Sequence, residues 1–174
     1  MLKTINGIKL IKFEPSAHTQ MVYNWYYDTH YLHFFRNYPS CPSFDEIIAS
    51  MAGKTFMIVY DNKIVGMVMH YNQNEFSRKT EVGILVDKAY EGNKIGPTAT
   101  KVLVYYLLNT LNLYKVSVVV VSDNEAVNKT VEKFGFIKEG KFKNSVYYDG
   151  EFHDENFWSI FKGDFNKKYK PEFI

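Results

Sequence analysis

The chain has 174 residues, of which 46% are hydrophobic and 23% charged, with a formal net charge of +2; this favours one domain spanning residues 1–174 with a sizeable core. The weak basic bias without a Lys/Arg block gives no footprint for nucleic acid, and no apolar run approaches the roughly 18 residues of a membrane span. A lone cysteine, Cys41, excludes an internal disulfide framework and, with no basic-then-apolar leader at the N-terminus, leads to the expectation of a cytoplasmic protein.

Residues 7–13 alternate apolar and polar, with Ile8, Leu10, Ile11 and Phe13 marking a first strand. Glu14-Pro15-Ser16 ends it, and Ser16 is expected to cap a helix running to Tyr27. Residues 29–38 are aromatic and carry His30 and His33; residues 39–43, Pro-Ser-Cys-Pro-Ser, form a breaker cluster. Ser43 stands three residues before Glu46, a capping-box spacing that opens a short helix to Met51. Residues 55–60 and 63–71 predict two strands about an Asp61-Asn62 turn. Residues 72–77 read as a longer hairpin loop, and residues 79–87 as the next strand.

Residues 90–96 read as a loop, with Pro97 at the first helical position. Ala99, Val102, Leu103, Tyr106, Leu107 and Thr110 then recur with helical spacing. Residues 115–121 have almost no polar face, as a central strand covered on both sides requires. Residues 124–134 predict a helix closed by Gly135. Residues 136–142 and 146–161 finish the chain as strands, with Asp149-Gly150 as a hairpin turn. The polar tail after Gly163 is expected to fray or to lie on the surface. The resulting order is one strand, two helices, three antiparallel strands, helix, strand, helix and two or three strands: an α+β layout with a mixed sheet.

The informative stretch for chemistry runs from Glu81 through Thr98. A strand enters a glycine-containing loop, and the loop opens a helix. Main-chain N–H groups at a helix start lack intrahelical partners, and the helix dipole adds to their pull on a phosphate. Gly92 and Gly96 allow close approach of backbone to ligand. A loop that merely turns a corner is the plainer alternative.

The segment Glu91-Gly92-Asn93-Lys94-Ile95-Gly96 resembles the pyrophosphate-binding segment of GNAT acyltransferases, whose pattern is Arg/Gln-x-x-Gly-x-Gly/Ala after a strand and at a helix start. Glu91 stands in the Arg/Gln place, Lys94 in the first glycine place and Gly96 in the last, so two of three positions depart from the pattern. Downstream, Asn124 followed by Glu132-Lys133-Phe134-Gly135-Phe136 and Glu139-Gly140 is similar to the family's Asn…Glu-Lys-Leu-Gly-Phe…Glu-Gly run, and Gly150 to Asp154 resembles a Gly-x-x-x-Asp element of the branch with ribosomal-protein alanine and spermidine acetyltransferases. Trp25 matches a tryptophan common in the family's first helix.

The resemblance implies a mixed, mostly antiparallel sheet of six to seven strands flanked by about four helices, with a splayed parallel strand pair at residues 81–87 and 115–121. It implies acetyl-CoA as acyl donor and a primary amine as acceptor: a protein N-terminus, a polyamine or another small amine. Ile84, Leu85 and Val86 would offer main chain to the pantetheine arm, with an N–H near Leu85 polarising the thioester carbonyl. Glu91, Gly92, Asn93, Lys94, Ile95, Gly96 and Thr98 would line the diphosphate, and Asn124 would reach the pantetheine or cap its helix. Glu81 is the general-base candidate, and an edge carboxylate with a structural role is its alternative. Val131 occupies the place of the family's general-acid tyrosine, so either another group serves, with Tyr147 or Tyr148 as the candidates, or backbone and solvent alone help the thiolate. Trp25, Tyr26 and His30 are candidates for the acceptor pocket, with core packing as the alternative.

His30 and His33 have no third ligand nearby, so no metal is expected. His153 beside Asp154 reads as a proton relay or as a surface histidine near a structural carboxylate. A homodimer fits the family's habit. The departures at Glu91, Lys94 and Val131 keep a second reading open, a catalytically weak or inactive binding module on the same fold.

Overall fold

Glu14 and Pro15 decide where the first helix begins. In the computed structural model, which describes residues 4–31 and 43–173, helix α1 is Pro15–Tyr26 with Glu14 as its N-cap residue. Pro15 comes with its φ preset for the first helical position, and Glu14 N–H donates to His18 Nδ1 at 2.8 Å. Ser16 therefore lies inside the first turn and is not the cap. The buried residues His18, Thr19, Val22, Trp25 and Tyr26 follow the 3.6-residue period of one helix face.

The capping box at Ser43 forms as its spacing requires. Ser43 Oγ accepts from Glu46 N–H, and Glu46 Oε2 accepts from Ser43 N–H at 2.7 Å, opening helix α2, Phe44–Met51. His33 and Cys41 lie outside the described residues.

The strands are β1 Lys9–Lys12, β2 Thr55–Tyr60, β3 Lys63–Asn74, β4 Lys79–Val86, β5 Lys115–Val121, β6 Ile137–Tyr148 and β7 Glu151–Phe161. They form a seven-stranded sheet in the order β1-β2-β3-β4-β5-β7-β6. Its parallel pair among the described residues is β4 with β5. β3 runs three residues past the expected end at Tyr71, because the left-handed Asn72 (φ 51°) introduces an irregularity without ending the strand. β6 is likewise continuous through residues 143–145, with a register shift between Phe142 and Val146.

Helix α3 is Ile95–Tyr105 and passes into a π-helical turn, Tyr106–Thr110. Pro97 is thus the third helical residue rather than the first. Its missing N–H does no harm in the first turn, where no intrahelical acceptor exists. Helix α4 is Glu125–Phe134, capped by Asn124 Oδ1 accepting from Val127 N–H at 3.1 Å and closed by Gly135 at φ 112°.

The tail corrects the expectation of a frayed end. Helix α5, Lys162–Tyr169, and a 3₁₀ turn, Lys170–Phe173, bury Phe165 completely and leave Tyr169 and Phe173 under a tenth exposed. Tyr169 Oη donates to Phe134 O at 2.7 Å, and Lys168 Nζ donates to Lys133 O at 2.8 Å. Both satisfy carbonyls that the C-terminus of α4 leaves open.

The chain divides into two compact units, Met1–His70 with Gly83–Leu103, and Tyr71–Val82 with Val104–Ile174. Leu10, Val22, Met57, Met67 and Leu103 centre the core of the first. Val116, Leu107, Leu108, Ile160 and Phe165 centre that of the second.

Candidate active site

The first unit carries the loop between β4 and α3. Asp87 starts it: its N–H donates to Val65 O at 2.8 Å, its Oδ1 accepts from Ala89 N–H at 3.0 Å, and its Oδ2 accepts from Trp25 Nε1 at 3.2 Å. One carboxylate therefore caps the 3₁₀ turn Lys88–Tyr90 and ties it to α1. Three more links follow. Lys88 N–H donates to Tyr31 Oη at 2.7 Å, Lys88 Nζ pairs with Asp28 Oδ2 at 2.9 Å, and His30 Nε2 meets Glu91 Oε1 at 2.8 Å. The hydrogen bond from Lys88 holds the Asp28 carboxyl below its ordinary value, while burial pushes the Tyr31 hydroxyl above its own.

Four main-chain N–H groups at this loop, those of Gly92, Lys94, Ile95 and Gly96, have no hydrogen-bond partner among the described residues. Pro97 has no N–H, and Thr98 donates its own to Lys94 O at 3.2 Å. The first turn of α3 carries no acidic side chain, so the positive end of its dipole is uncompensated. Ile95, 2% exposed, anchors the turn in the core while its backbone presents the donors. Gly92 sits at φ 79° with no atom within 4 Å of where a Cβ would stand. Lys94, in the place of the motif's first glycine, adopts φ 57°. Its backbone keeps the glycine conformation although its side chain does not. Glu91 spends its charge on His30.

Of the residues expected at the acceptor end, Trp25 and Tyr26 are each 6% exposed and Trp25 anchors the loop; the His30 side chain is 43% exposed. Ile84 and Val86 are half-buried and Leu85 is buried. Gly96 faces this strand: a Cβ there would lie 3.5 Å from Val86 Cγ2 and 3.6 Å from Ile84 Cδ1. Asn93 Nδ2 donates to Tyr90 O at 3.3 Å, and Thr98 Oγ1 to Lys94 O at 2.9 Å.

The second unit carries the rest. Glu81 accepts from Asn72 Nδ2 at 3.2 Å and is the Cα partner of Ser117. The β4–β5 ladder is three residue pairs long and ends there, although β4 continues to Val86 and β5 to Val121. Asn124 is exposed with its Oδ1 engaged in the helix cap. Tyr147 on β6 is 61% exposed and meets Phe152 edge-on, centroids 5.1 Å apart. Tyr148 instead stacks on His153 at 3.7 Å. His153 takes Asp123 as its partner, at 2.7 Å, and Asp154 pairs with Lys141 at 2.6 Å. The Asp123 carboxylate raises the His153 pKa. No group of three metal-ligating side chains exists among the described residues.

Asn128 escaped the reading of the sequence. Its Nδ2 donates to Val121 O at 2.9 Å and Asn124 O at 2.8 Å, and its Oδ1 accepts from Asn156 Nδ2 and Trp158 Nε1 at 2.9 and 3.0 Å. It fixes the β5–α4 turn that presents Asn124. The i, i+4 spacing of the two asparagines was the available signal. Asp87 had none for its bond to Trp25, 62 residues away in sequence.

Residues 19–136 match the Acetyltransferase (GNAT) family. The chain belongs to this family. This GNAT chain is 29% identical over 140 residues to YdaF of Bacillus subtilis, which carries the name of a ribosomal N-acetyltransferase, with 76% of each chain covered. It is 25% identical over 127 residues to spermidine N(1)-acetyltransferase of Escherichia coli K12, covering 73% of this chain and 68% of that protein. Among solved structures, spermidine N-acetyltransferase of Vibrio cholerae in complex with CoA and spermine superposes with a TM-score of 0.84 at 20% identity, covering 92% of this chain and 99% of the other. The GNAT fold is thereby shown, and the protein is an acyltransferase whose donor is acetyl-CoA. No helix among the described residues is long and apolar enough to cross a membrane.

Proposed function

We propose that this GNAT protein moves the acetyl group of acetyl-CoA to a primary amine, that of a polyamine or other small amine or of a protein N-terminus, in the cytoplasm. The observation that carries the reading is the set of four unpartnered N–H groups at Gly92, Lys94, Ile95 and Gly96. Their number, the helix dipole behind them and the absence of an acidic side chain in the turn suit a diphosphate. Asn93 and the Lys94 ammonium complete that surface, whereas both Thr98 donors are taken by Lys94 O. Glu91, paired with His30, is kept from opposing the phosphates.

When bound, acetyl-CoA supplies an acetyl group activated as a thioester. The main chain of Ile84, Leu85 and Val86 would receive the pantetheine arm, the Leu85 N–H would polarise the thioester carbonyl, and Asn124 Nδ2 would supply a further donor. Glu81 takes a proton from the acceptor ammonium, directly or through water, which frees the nitrogen lone pair for attack. Tyr147, or solvent, would supply the proton that the thiolate takes up as the C–N bond replaces the C–S bond. His30 is the accessible member of the proposed acceptor surface, whereas Trp25 and Tyr26 are buried.

The test is thiol release from acetyl-CoA against a panel of spermidine, simple primary amines and peptides with free N-termini. Amine-dependent release is expected. Silence across the panel, with acetyl-CoA still raising the melting temperature, favours the binding-module reading; silence with no thermal shift at millimolar ligand removes the site altogether.

A further inference from the structure

One amide on α4 joins three elements of the second unit. Asn128 Nδ2 donates to Val121 O, the last carbonyl of β5, at 2.9 Å and to Asn124 O, just before α4, at 2.8 Å; Ser122 O is more distant, at 3.4 Å. Asn128 Oδ1 accepts from Asn156 Nδ2 and Trp158 Nε1 of β7 at 2.9 and 3.0 Å. Asn156 and Trp158 are 6% and 7% exposed and, at alternate positions of β7, leave the same face of the strand.

The indole decides which way this amide is turned. Trp158 Nε1 can only donate, so the atom that meets it is the Asn128 oxygen, and the Asn128 nitrogen faces the carbonyls of the turn. Asn156 is fixed in the same way: its nitrogen meets the Asn128 oxygen, and its Oδ1 accepts from Ser122 Oγ at 3.2 Å. The two N–H groups of Asn128 thus tie the end of β5 and the start of α4 to one planar group.

The turn presents Asn124. Its N–H donates to Val121 O at 3.1 Å, its carbonyl accepts from Asn128 N–H at 3.0 Å as well as from Asn128 Nδ2, and its Oδ1 accepts from Val127 N–H. Asn124 Nδ2 has no hydrogen-bond partner among the described residues. The Asn124 side chain therefore has donors left to offer a ligand, which suits an amide carbonyl such as those of a pantetheine arm. The backbone at residue 124 sets where those donors lie, and Asn128 pins that backbone at both ends of the turn.

We propose that Asn128 is a positioning residue for acetyl-CoA: by tying the end of β5 to the start of α4 it aims the Asn124 amide nitrogen at the cofactor. This rests on the proposed contact between Asn124 and the pantetheine arm.

The experiment is a double-mutant cycle on the full chain, reading the dissociation constant of CoA by calorimetry and the melting temperature without ligand. Asn124→Ser keeps a side-chain cap, since serine ranks with asparagine there, but removes the amide donors; the dissociation constant rises about 3–10-fold, the scale of one hydrogen bond. Asn128→Ala removes the tie, and the dissociation constant rises about 2–5-fold. In the Asn124→Ser background Asn128→Ala adds nothing to the dissociation constant. The melting temperature falls in both backgrounds, because the buried Asn156 and Trp158 donors lose their acceptor. An Asn128→Ala protein that binds CoA as the wild type does, or that loses the same factor in both backgrounds, overturns the proposal while a weakened Asn124→Ser protein keeps the Asn124 contact. An Asn124→Ser protein of wild-type affinity overturns that contact and this proposal with it. A wild-type protein that does not bind CoA overturns the cofactor site as a whole. Should Asn128→Ala fail to fold, Asn128→Asp, which keeps an acceptor for Asn156 and Trp158 and loses both donors, carries the same cycle.

Discussion

Trp25 Nε1 and Asp87 Oδ2 lie 3.2 Å apart across 62 residues of sequence, and the same carboxylate caps the turn that leads into the proposed phosphate loop. A residue that the family resemblance made a candidate for the acceptor pocket, with core packing as the alternative, thus holds the loop in place. Trp25→Phe retains most of the buried ring but removes the donor. Stability is expected to fall by about 1.5–3 kcal/mol, the range for a hydrogen bond to a charged group. KM for acetyl-CoA should rise more than kcat falls, read by urea unfolding and by steady-state kinetics.

Lys94 occupies a conformation that glycine takes without steric penalty. Relief of the left-handed strain, about 1–2 kcal/mol, outweighs the added flexibility of a glycine in the unfolded chain, about 0.5–1 kcal/mol. Lys94→Gly is therefore expected to stabilise the protein by roughly 0.5–1 kcal/mol. Lys94→Val, with a β-branched side chain at positive φ, should destabilise it. Paired denaturation curves decide.

Gly96 separates bulk from a mere methyl. A Cβ at this position makes ordinary contacts with Val86 and Ile84, so Gly96→Ala should keep the thermal shift produced by acetyl-CoA. Gly96→Trp should abolish that shift and the activity while the far-UV circular dichroism is retained. A Trp variant with the full thermal shift would remove the diphosphate from this loop.

Gly66 on β3 is a matter of space. A Cβ there would stand 2.3 Å from Leu85 O and 3.0 Å from Val86 Cα, both backbone atoms. Gly66→Ala must displace the strand proposed to carry the pantetheine arm. A loss of about 1–3 kcal/mol, as for overpacking, is expected together with a fall in kcat/KM for acetyl-CoA.

His70 predicts a pH dependence. Burial, with the Lys54 charge second, lowers its pKa below the ordinary 6.5, and its Nδ1 has no hydrogen-bond partner among the described residues. Below about pH 6.5 the unfolded chain takes up a proton that the folded chain refuses, so stability falls as pH drops toward the folded pKa. His18, lowered by its own burial, acts in the same direction. His70→Phe should flatten the decline in melting temperature between pH 7 and pH 5 without removing it.

What was legible in the sequence was local. The Ser43–Glu46 box, the Asn124 cap and the Gly135 stop need partners within four residues, and all three form. The loop donors followed from a strand, two glycines and a helix start. The pairing of Glu91 with His30, 61 residues away, had no local signal, because tertiary structure creates it. The tail misled for a different reason. Phe165, Tyr169 and Phe173 recur every fourth residue, as one buried helix face requires, but Lys167, Lys168 and Lys170 between them dominate the composition. The π-helical turn at Tyr106–Thr110 hid behind an apolar spacing that an α-helix explains equally well.

The division of the chain gives its synthesis an order. By the time residue 103 has been added, every residue of the first unit exists, whereas the second possesses twelve residues, Tyr71–Val82, and awaits Val104 onward. The strands β3 and β4 are therefore each made with the unit of one end complete in residues and that of the other still lacking most of its chain. The ends left waiting include Glu81, so the residues of the proposed phosphate loop are all synthesised before those that surround the proposed base.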